Sequence, residues 1–114
     1  MIFDEARFKR AAHNVRKDPR SKYCFLTGGE VKGRGDPHHV VPRSARPDLV
    51  YEERNIVIVN RGPHDVITSG DMASIRKLPG IYRLLARMKE VDLDYYKRFK
   101  TKLNETNTNQ AAGL

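Results

Sequence analysis

The chain has 114 residues, of which 39% are hydrophobic, and this length predicts one domain with a modest core. No stretch approaches the roughly 18 apolar residues of a membrane-spanning helix, and the first residues lack the apolar centre of a secretory signal peptide. A single cysteine, Cys24, excludes an internal disulfide and a zinc site built from several cysteines. It favours a reducing, cytoplasmic setting.

The net charge of +8 is unevenly distributed along the chain. Residues 1–22 carry seven Lys or Arg against three Asp or Glu, and residues 72–114 carry nine against four. Residues 23–71 carry six against seven. A neutral middle between basic flanks favours a polyanionic partner, most often a nucleic acid, although a solubilised helix surface would look the same. A membrane surface is disfavoured, because neither flank sets a broad apolar face or a tryptophan beside its basic residues.

The first half of the chain predicts one helix and three short strands. Apolar residues recur with the helical period over residues 2–17, and Asp18-Pro19 ends this basic helix. Three apolar runs, each bounded by glycine, proline or polar residues, predict strands. These predicted strands are residues 23–29, 38–41 and 55–60.

The second half predicts helices. Pro63 suits the first turn of a short helix, and Asp71, Pro79 and Asp92 suit the starts of three more. Together they predict an α+β domain over residues 1–104. The polar segment 105–114 is expected to be a disordered tail.

The segment DPHHVVP, residues 36–42, is the most informative in the chain. It places two of the four histidines side by side at the entrance of a predicted strand. Consecutive side chains of a strand point to opposite faces, so one imidazole can hold a metal ion while its neighbour handles a proton. Asn55 follows His39 after sixteen positions, and His64 follows Asn55 after nine. A strand, loop, strand and short helix would bring these residues together.

DPHHVVP and NIVIVNRGPH, residues 55–64, together resemble the HNH family, also called ββα-metal endonucleases. The likeness covers about residues 23–68. It includes the doubled histidine, the proline after two branched residues and the nine-residue spacing. The resemblance implies a small ββα-metal core with two or three short strands, flanked by basic helices at residues 2–17 and 72–103.

The segment CFLTG, residues 24–28, is similar to the place where many family members carry Cys-x-x-Cys followed by glycine. Here Thr27 stands at the second cysteine position, and the later pair would fall at Asn60 and Pro63. Three of four structural zinc ligands are therefore absent. The resemblance implies a member without structural zinc, held by packing, in which Cys24 is a buried remnant.

The resemblance also implies a chemistry and roles for single residues. Hydrolysis of a phosphodiester needs an activated water and a stabilised departing oxyanion. His38 and His64 would hold one divalent metal, and His39 would act as general base. Asn55 would steady the backbone or ring that orients His39. A hard carboxylate would favour Mg²⁺ or Mn²⁺, whereas two imidazoles also suit Ni²⁺ or Zn²⁺.

Further charged residues surround this predicted site. Asp36 and Asp65 are expected either as extra ligands or as partners of the ligands, although Asp36-Pro37 also suits an ordinary turn. Arg43 and Arg61 flank the site and are expected to contact phosphate. Many family members carry a further His or Asn where this chain has Thr68, which leaves the metal two protein ligands.

The resulting hypothesis is a metal-dependent DNA endonuclease, a monomer or homodimer, of the kind common in phages and mobile elements. Duplex DNA is the expected substrate, and RNA stays open. The first alternative is a non-catalytic nucleic-acid-binding protein that keeps the fold. The second is a metal-stabilised adaptor for a protein partner. Each histidine also has an ordinary interpretation as a polar residue at a strand entrance or helix start.

Overall fold

The computed structural model describes the backbone of residues 2–112 and the side chains of residues 2–105. Over this part of the chain, five α-helices accompany one two-stranded antiparallel sheet, which makes the chain a small α+β protein. No helix in the described range is long and apolar enough to cross a membrane. The elements are α1 (Glu5–Arg16), β1 (Asp36–His39), β2 (Ile56–Val59), α2 (Arg61–Ser69), α3 (Met72–Arg76), α4 (Ile81–Val91) and α5 (Leu93–Ala112).

The register of β1 and β2 decides which side chains share a face of the sheet. His39 lies opposite Ile56, and His38 lies opposite Val57. Because successive strand residues point to opposite faces, His38 and His39 are separated by the strand itself. α1 covers the face of His39, where the ring centroid of Phe8 lies 5.0 Å from that of the imidazole. α2 flanks the face of His38.

The main core lies on the His38 side of the sheet. All four residues of β2 are buried, as a continuous run of branched apolar residues predicts. Leu84 and Met88, one turn apart on α4, point into the same core because positions i and i+4 share a helix face. The core cluster also contains Cys24, Leu26, Val40, Val41, Val57, Val59, Ile75, Leu78, Phe99 and Leu103.

The predicted strand at residues 23–29 is wrong, because most of this segment forms a tight turn. The amide of Gly28 donates to the carbonyl of Cys24 at 2.7 Å, and the amide of Cys24 donates to the carbonyl of Gly29 at 2.7 Å. Gly28 closes the turn at φ 83°, a left-handed conformation that glycine adopts without steric cost. The apolar run that suggested a strand instead directs Cys24 and Leu26 into the core.

The other element predictions hold with shifted boundaries. The first helix begins only at Glu5, where the side chain of Asp4 accepts a hydrogen bond from the amide of Arg7 at 3.0 Å. β1 begins two residues before the predicted strand and ends at His39. The carboxylate of Asp92 accepts from the amide of Tyr95 at 3.0 Å and caps α5 as predicted.

The carboxyl-terminal helix runs into the predicted tail. α5 extends to Ala112, and thus covers the backbone of most of the segment 105–114. Its side chains beyond residue 105, and residues 113–114, lie outside the described part of the chain. The disordered tail therefore stays a prediction.

Candidate active site

Three of the predicted site residues meet on the face of β1 that α2 flanks. Asp36 and His38 are two positions apart on the strand and so project to the same side. α2 starts directly after β2, and its first turn brings His64 over them. The ring centroids of His38 and His64 lie 5.1 Å apart in an edge-on arrangement. Nδ1 of His64 lies 3.2 Å from Oδ2 of Asp36.

The contact with Asp36 fixes which nitrogen of His64 carries hydrogen. An ionised carboxylate only accepts hydrogen bonds, so Nδ1 of His64 donates and Nε2 of the neutral ring keeps its lone pair. Nε of Arg61 lies 3.1 Å from the same carboxylate oxygen and holds Asp36 from a second direction. Carboxylates placed in this way orient and strengthen metal-binding imidazoles. The geometry suits Asp36 as a partner of His64 more than as a ligand.

His38 is held neutral by its surroundings. Its pKa is lowered to about 4, first by burial and then by the neighbouring imidazoles of His64 and His39. A neutral imidazole keeps one nitrogen lone pair at pH 7. His38 and His64 are therefore two neighbouring imidazoles, with ring centroids 5.1 Å apart, and each neutral ring keeps one nitrogen lone pair.

The two histidines form a sparse donor set. Among the described residues, no group of three or more His, Cys, Asp or Glu side chains is placed to hold a metal ion. Asp65 is exposed, and its carboxylate lies 3.8 Å from Arg61 rather than beside an imidazole. The hydroxyl of Thr68 donates to the carbonyl of His64 at 3.0 Å and is thus turned to the helix backbone. A metal at this place would complete its coordination with water and substrate oxygens.

His39 occupies a different environment on the α1 face. Its Nε2 lies 2.9 Å from the carbonyl oxygen of Val50. A carbonyl only accepts, so Nε2 carries the hydrogen and Nδ1 is left as a proton acceptor. The ring of Phe8 packs against the imidazole on this side. The structure therefore separates His39 from the pair formed by His38 and His64.

Asn55 joins the end of β1 to the loop that reaches His39. It is fully buried, and its Oδ1 accepts from the amide of Val41 at 2.7 Å. Its Nδ2 donates to the carbonyls of Val41 at 3.0 Å and Leu49 at 3.3 Å. Leu49 precedes Val50, whose carbonyl holds His39. These side-chain bonds go to backbone, so Asn55 can act on His39 through the loop and not by contact with the ring.

The two predicted phosphate-binding arginines lie on different faces. Arg61 borders Asp36, where a cleft of about 580 Å³ is also lined by Lys32 and Arg34. Arg43 lies on the α1 side, with its Cζ 4.4 Å from the ring centroid of Phe3. Sequence reasoning missed the two cations of the cleft. Their signal was the basic, glycine-rich run KGRG, residues 32–35, directly before Asp36.

Two of the four positions at which other family members carry structural zinc ligands are in contact, namely Cys24 and Asn60. Cys24 is buried, and the backbone amide of Asn60 donates to its Sγ at 3.3 Å. The Asn60 side chain accepts from the amide of Lys32 at 2.8 Å and donates to the carbonyl of Glu30 at 2.9 Å. Hydrogen bonds thus connect these loops where the resemblance places structural zinc in other members. The absence of that zinc here stays a prediction.

No family model, curated protein or solved structure matches this chain. Function therefore has to be inferred from the residues and their geometry.

Proposed function

We propose that the chain is a metal-dependent endonuclease of the HNH type that hydrolyses phosphodiester bonds in DNA. The observation that carries this proposal is the arrangement of three histidines around β1. The imidazoles of His38 and His64 lie with their centroids 5.1 Å apart on one face, while His39 offers Nδ1 as a proton acceptor on the other. The consecutive order of β1, β2 and α2 agrees with a ββα-metal core.

The proposed role of each histidine follows from the ring nitrogen that keeps a lone pair. His38 and His64 would hold one divalent cation, which would supply positive charge to the phosphate and the departing oxygen. His39 would take a proton from the attacking water at Nδ1. β1, like β2, is an edge strand of the two-stranded sheet, and its two faces meet along its unpaired edge. A phosphate at this edge would lie between the two kinds of histidine.

The donor set bears on the choice of metal. His64 and Arg61 both contact Oδ2 of Asp36, so this carboxylate has one oxygen already engaged. A hard carboxylate favours Mg²⁺ or Mn²⁺, whereas two imidazoles suit Ni²⁺ or Zn²⁺. Because the site offers both kinds of donor, Mn²⁺ is the first metal to test, with Mg²⁺, Ni²⁺ and Zn²⁺ beside it.

The substrate assignment depends on charge. Lys32, Arg34 and Arg61 line a cleft together with Asp36, and Asp36 in turn contacts His64, which does not line the cleft itself. Contacts to phosphate provide affinity but little sequence information. Duplex DNA cut with low sequence specificity is therefore the proposed substrate, and RNA is the comparison to include.

A non-catalytic nucleic-acid-binding protein is the second candidate. It is favoured by the sparse metal site, since among the described residues no group of three or more His, Cys, Asp or Glu side chains is placed to hold a metal ion. This candidate predicts that DNA binding occurs without cleavage and does not depend on divalent metal.

Plasmid cleavage separates the two candidates. The purified protein would be incubated with supercoiled DNA and each of the four metals or EDTA, beside His64→Ala and His13→Ala. His13 is exposed on α1 and serves as the matched control. We expect metal-dependent nicking by the wild type and His13→Ala, and its loss in His64→Ala and in EDTA. Folded wild-type protein that binds DNA but cuts with none of the metals would support the binding protein instead.

A further inference from the structure

Two arginines and two aromatic rings form a continuous stack on the α1 side of the sheet. The Cζ of Arg43 lies 4.4 Å from the ring centroid of Phe3. The rings of Phe3 and Tyr51 have centroids 6.0 Å apart and planes 14° apart. The Cζ of Arg7 lies 4.4 Å from the ring centroid of Tyr51. We call Arg7, Tyr51, Phe3 and Arg43 the arginine–aromatic stack.

The stack is anchored to the environment of His39. The backbone amide of Asp4 donates to the hydroxyl of Tyr51 at 2.7 Å, which fixes the amino-terminal segment to the loop after Val50. The ring centroid of Phe3 lies 5.6 Å from that of Phe8, and Phe8 packs on His39. A ligand held by the stack would therefore lie near the histidine proposed as general base.

The guanidinium groups of this stack differ from the other stacked arginines. Three other arginines lie over aromatic rings, and the guanidinium group of each already has an acceptor within the protein. Among the described residues, the guanidinium N–H groups of Arg7 and Arg43 have neither a hydrogen-bond acceptor nor a carboxylate partner. By contrast, Arg83 donates to the carbonyl of Phe25 at 2.9 Å and Arg87 donates to the carbonyl of Arg54 at 3.1 Å. Arg98 forms an ion pair with the carboxylate of Asp94 at 3.3 Å.

Stacking prepares these two groups for a phosphate. A guanidinium that lies with its face on a ring keeps its N–H edge directed outward, and that edge matches two oxygens of one phosphate. The ring also restricts the side chain before binding, so less conformational entropy is lost on contact. Arg7 and Arg43 are both exposed and lie at opposite ends of the stack.

We infer that the arginine–aromatic stack binds two phosphates of a nucleic-acid backbone that passes His39. This inference rests on the proposed function, because that proposal makes His39 the general base. It adds the face on which the nucleic-acid strand lies, Arg7 as a phosphate-binding residue beside Arg43, and the role of Phe3 and Tyr51 in orienting both arginines. Arg61 and the cleft beside Asp36 would then contact the backbone on the other side of β1.

Binding without metal tests the inference apart from catalysis. Affinity for a fluorescent duplex would be measured by anisotropy in EDTA at several salt concentrations, for the wild type and Arg7→Ala/Arg43→Ala. The matched control is Arg20→Ala/Arg98→Ala, which removes the same charge from two exposed arginines that already pair with carboxylates. We expect the stack variant to bind about 10- to 100-fold more weakly, with a salt slope reduced by about two. The control should bind within about threefold of wild type, because its arginines are already occupied.

Two milder variants allow the inference to be tested even if the double alanine variant does not fold. Arg7→Lys/Arg43→Lys keeps the charge and loses the planar fork, and Phe3→Leu keeps both arginines and loses one ring. Each should weaken binding by about two- to tenfold while thermal unfolding shows a folded protein. Equal binding by the stack and control variants would overturn the inference. So would a stack variant that loses affinity for polyglutamate and DNA alike, since that would indicate an acidic protein partner.

The outcome also separates the inference from the proposed function. Wild-type protein that binds DNA through the stack but never cuts would leave the inference standing and contradict the nuclease. Protein that cuts, with the stack variant binding like the control, would contradict the inference alone.

Discussion

The two faces of β1 hold the same kind of side chain in opposite ways. On the α2 face, His64 uses Nδ1 to meet the carboxylate of Asp36 and leaves Nε2 free. On the α1 face, His39 uses Nε2 to meet the neutral carbonyl of Val50 and leaves Nδ1 free. A carboxylate partner makes an imidazole a stronger ligand, whereas a carbonyl orients the ring without adding charge. The difference shows that the imidazoles on the two faces of β1 keep different ring nitrogens free.

Loss of His39, the histidine on the α1 face of β1, should have the largest effect, which is on the rate of DNA cleavage. Removing a general base typically lowers the rate by about 10²- to 10⁴-fold, so His39→Ala should cut DNA slower by this factor. DNA affinity should stay within about twofold, since the proposed phosphate contacts are kept. Single-turnover cleavage beside His13→Ala would measure the change. A rate within threefold of wild type would remove His39 from the chemistry.

Asn55 supports the loop that reaches the α1 face, so its loss should lower stability. Asn55→Ala leaves the amide and carbonyl of Val41 and the carbonyl of Leu49 without these side-chain partners. We expect a loss of roughly 2–4 kcal/mol in the free energy of unfolding, measured with urea. Asn14→Ala is the control, because Asn14 is exposed and bonds Glu53 at 3.1 Å. If Asn55→Ala and Asn14→Ala lower the free energy of unfolding by similar amounts, the buried side-chain amide of Asn55 does not support the loop.

The α2 face should make the metal-free protein sensitive to mild acid. The pKa of His38 is lowered to about 4 from an ordinary value of 6.5, so the unfolded chain binds its proton more readily. Stability should therefore fall as pH decreases from about 6.5 to 4, by up to about 3 kcal/mol. His64, Asp36 and His39 are the titratable groups around this ring.

Urea unfolding in EDTA at several pH values would measure this dependence. His38→Asn should flatten it, since the variant cannot bind the proton at this position. The same slope in His38→Asn and wild type would show that another group causes the acid sensitivity.

Removing the carboxylate partner should produce the smallest of these effects. Asp36→Asn keeps the size of the side chain but weakens its hold on Nδ1 of His64. We expect metal affinity to fall about 10- to 100-fold, as is typical when such partners are lost. Calorimetric titration with Mn²⁺ would measure it, with Asp65→Asn as the exposed control. If both variants bind metal like wild type, Asp36 does not support the ligand.

The sequence predicted part of the site because local order determines it. The second strand is followed at once by a helix. This order of elements brings His38 and His64 together for any path of the loop between the strands. The face of Arg43 could not be predicted, because it depends on the path of the loop between the strands. The carbonyl of Val50 has no side-chain signature. Phe8 was recognised as apolar, but its contact with His39 depends on how α1 crosses the sheet.

The fold was predictable to a similar extent. The branched run of β2 and the cap at Asp92 indicate their elements directly. The turn at residues 24–28 was misread because its apolar residues look like a buried strand. The left-handed Gly28 and local hydrogen bonds decide against a strand there, and neither has a periodic pattern.

We propose that the two faces of β1 divide metal binding from proton transfer. The most direct measurement combines Mn²⁺ titration with DNA cleavage for His64→Ala and His39→Ala. We predict that His64→Ala loses both metal binding and cleavage, whereas His39→Ala binds Mn²⁺ like wild type and fails to cut. Loss of metal binding in His39→Ala, or full cleavage by either folded variant, would contradict this division.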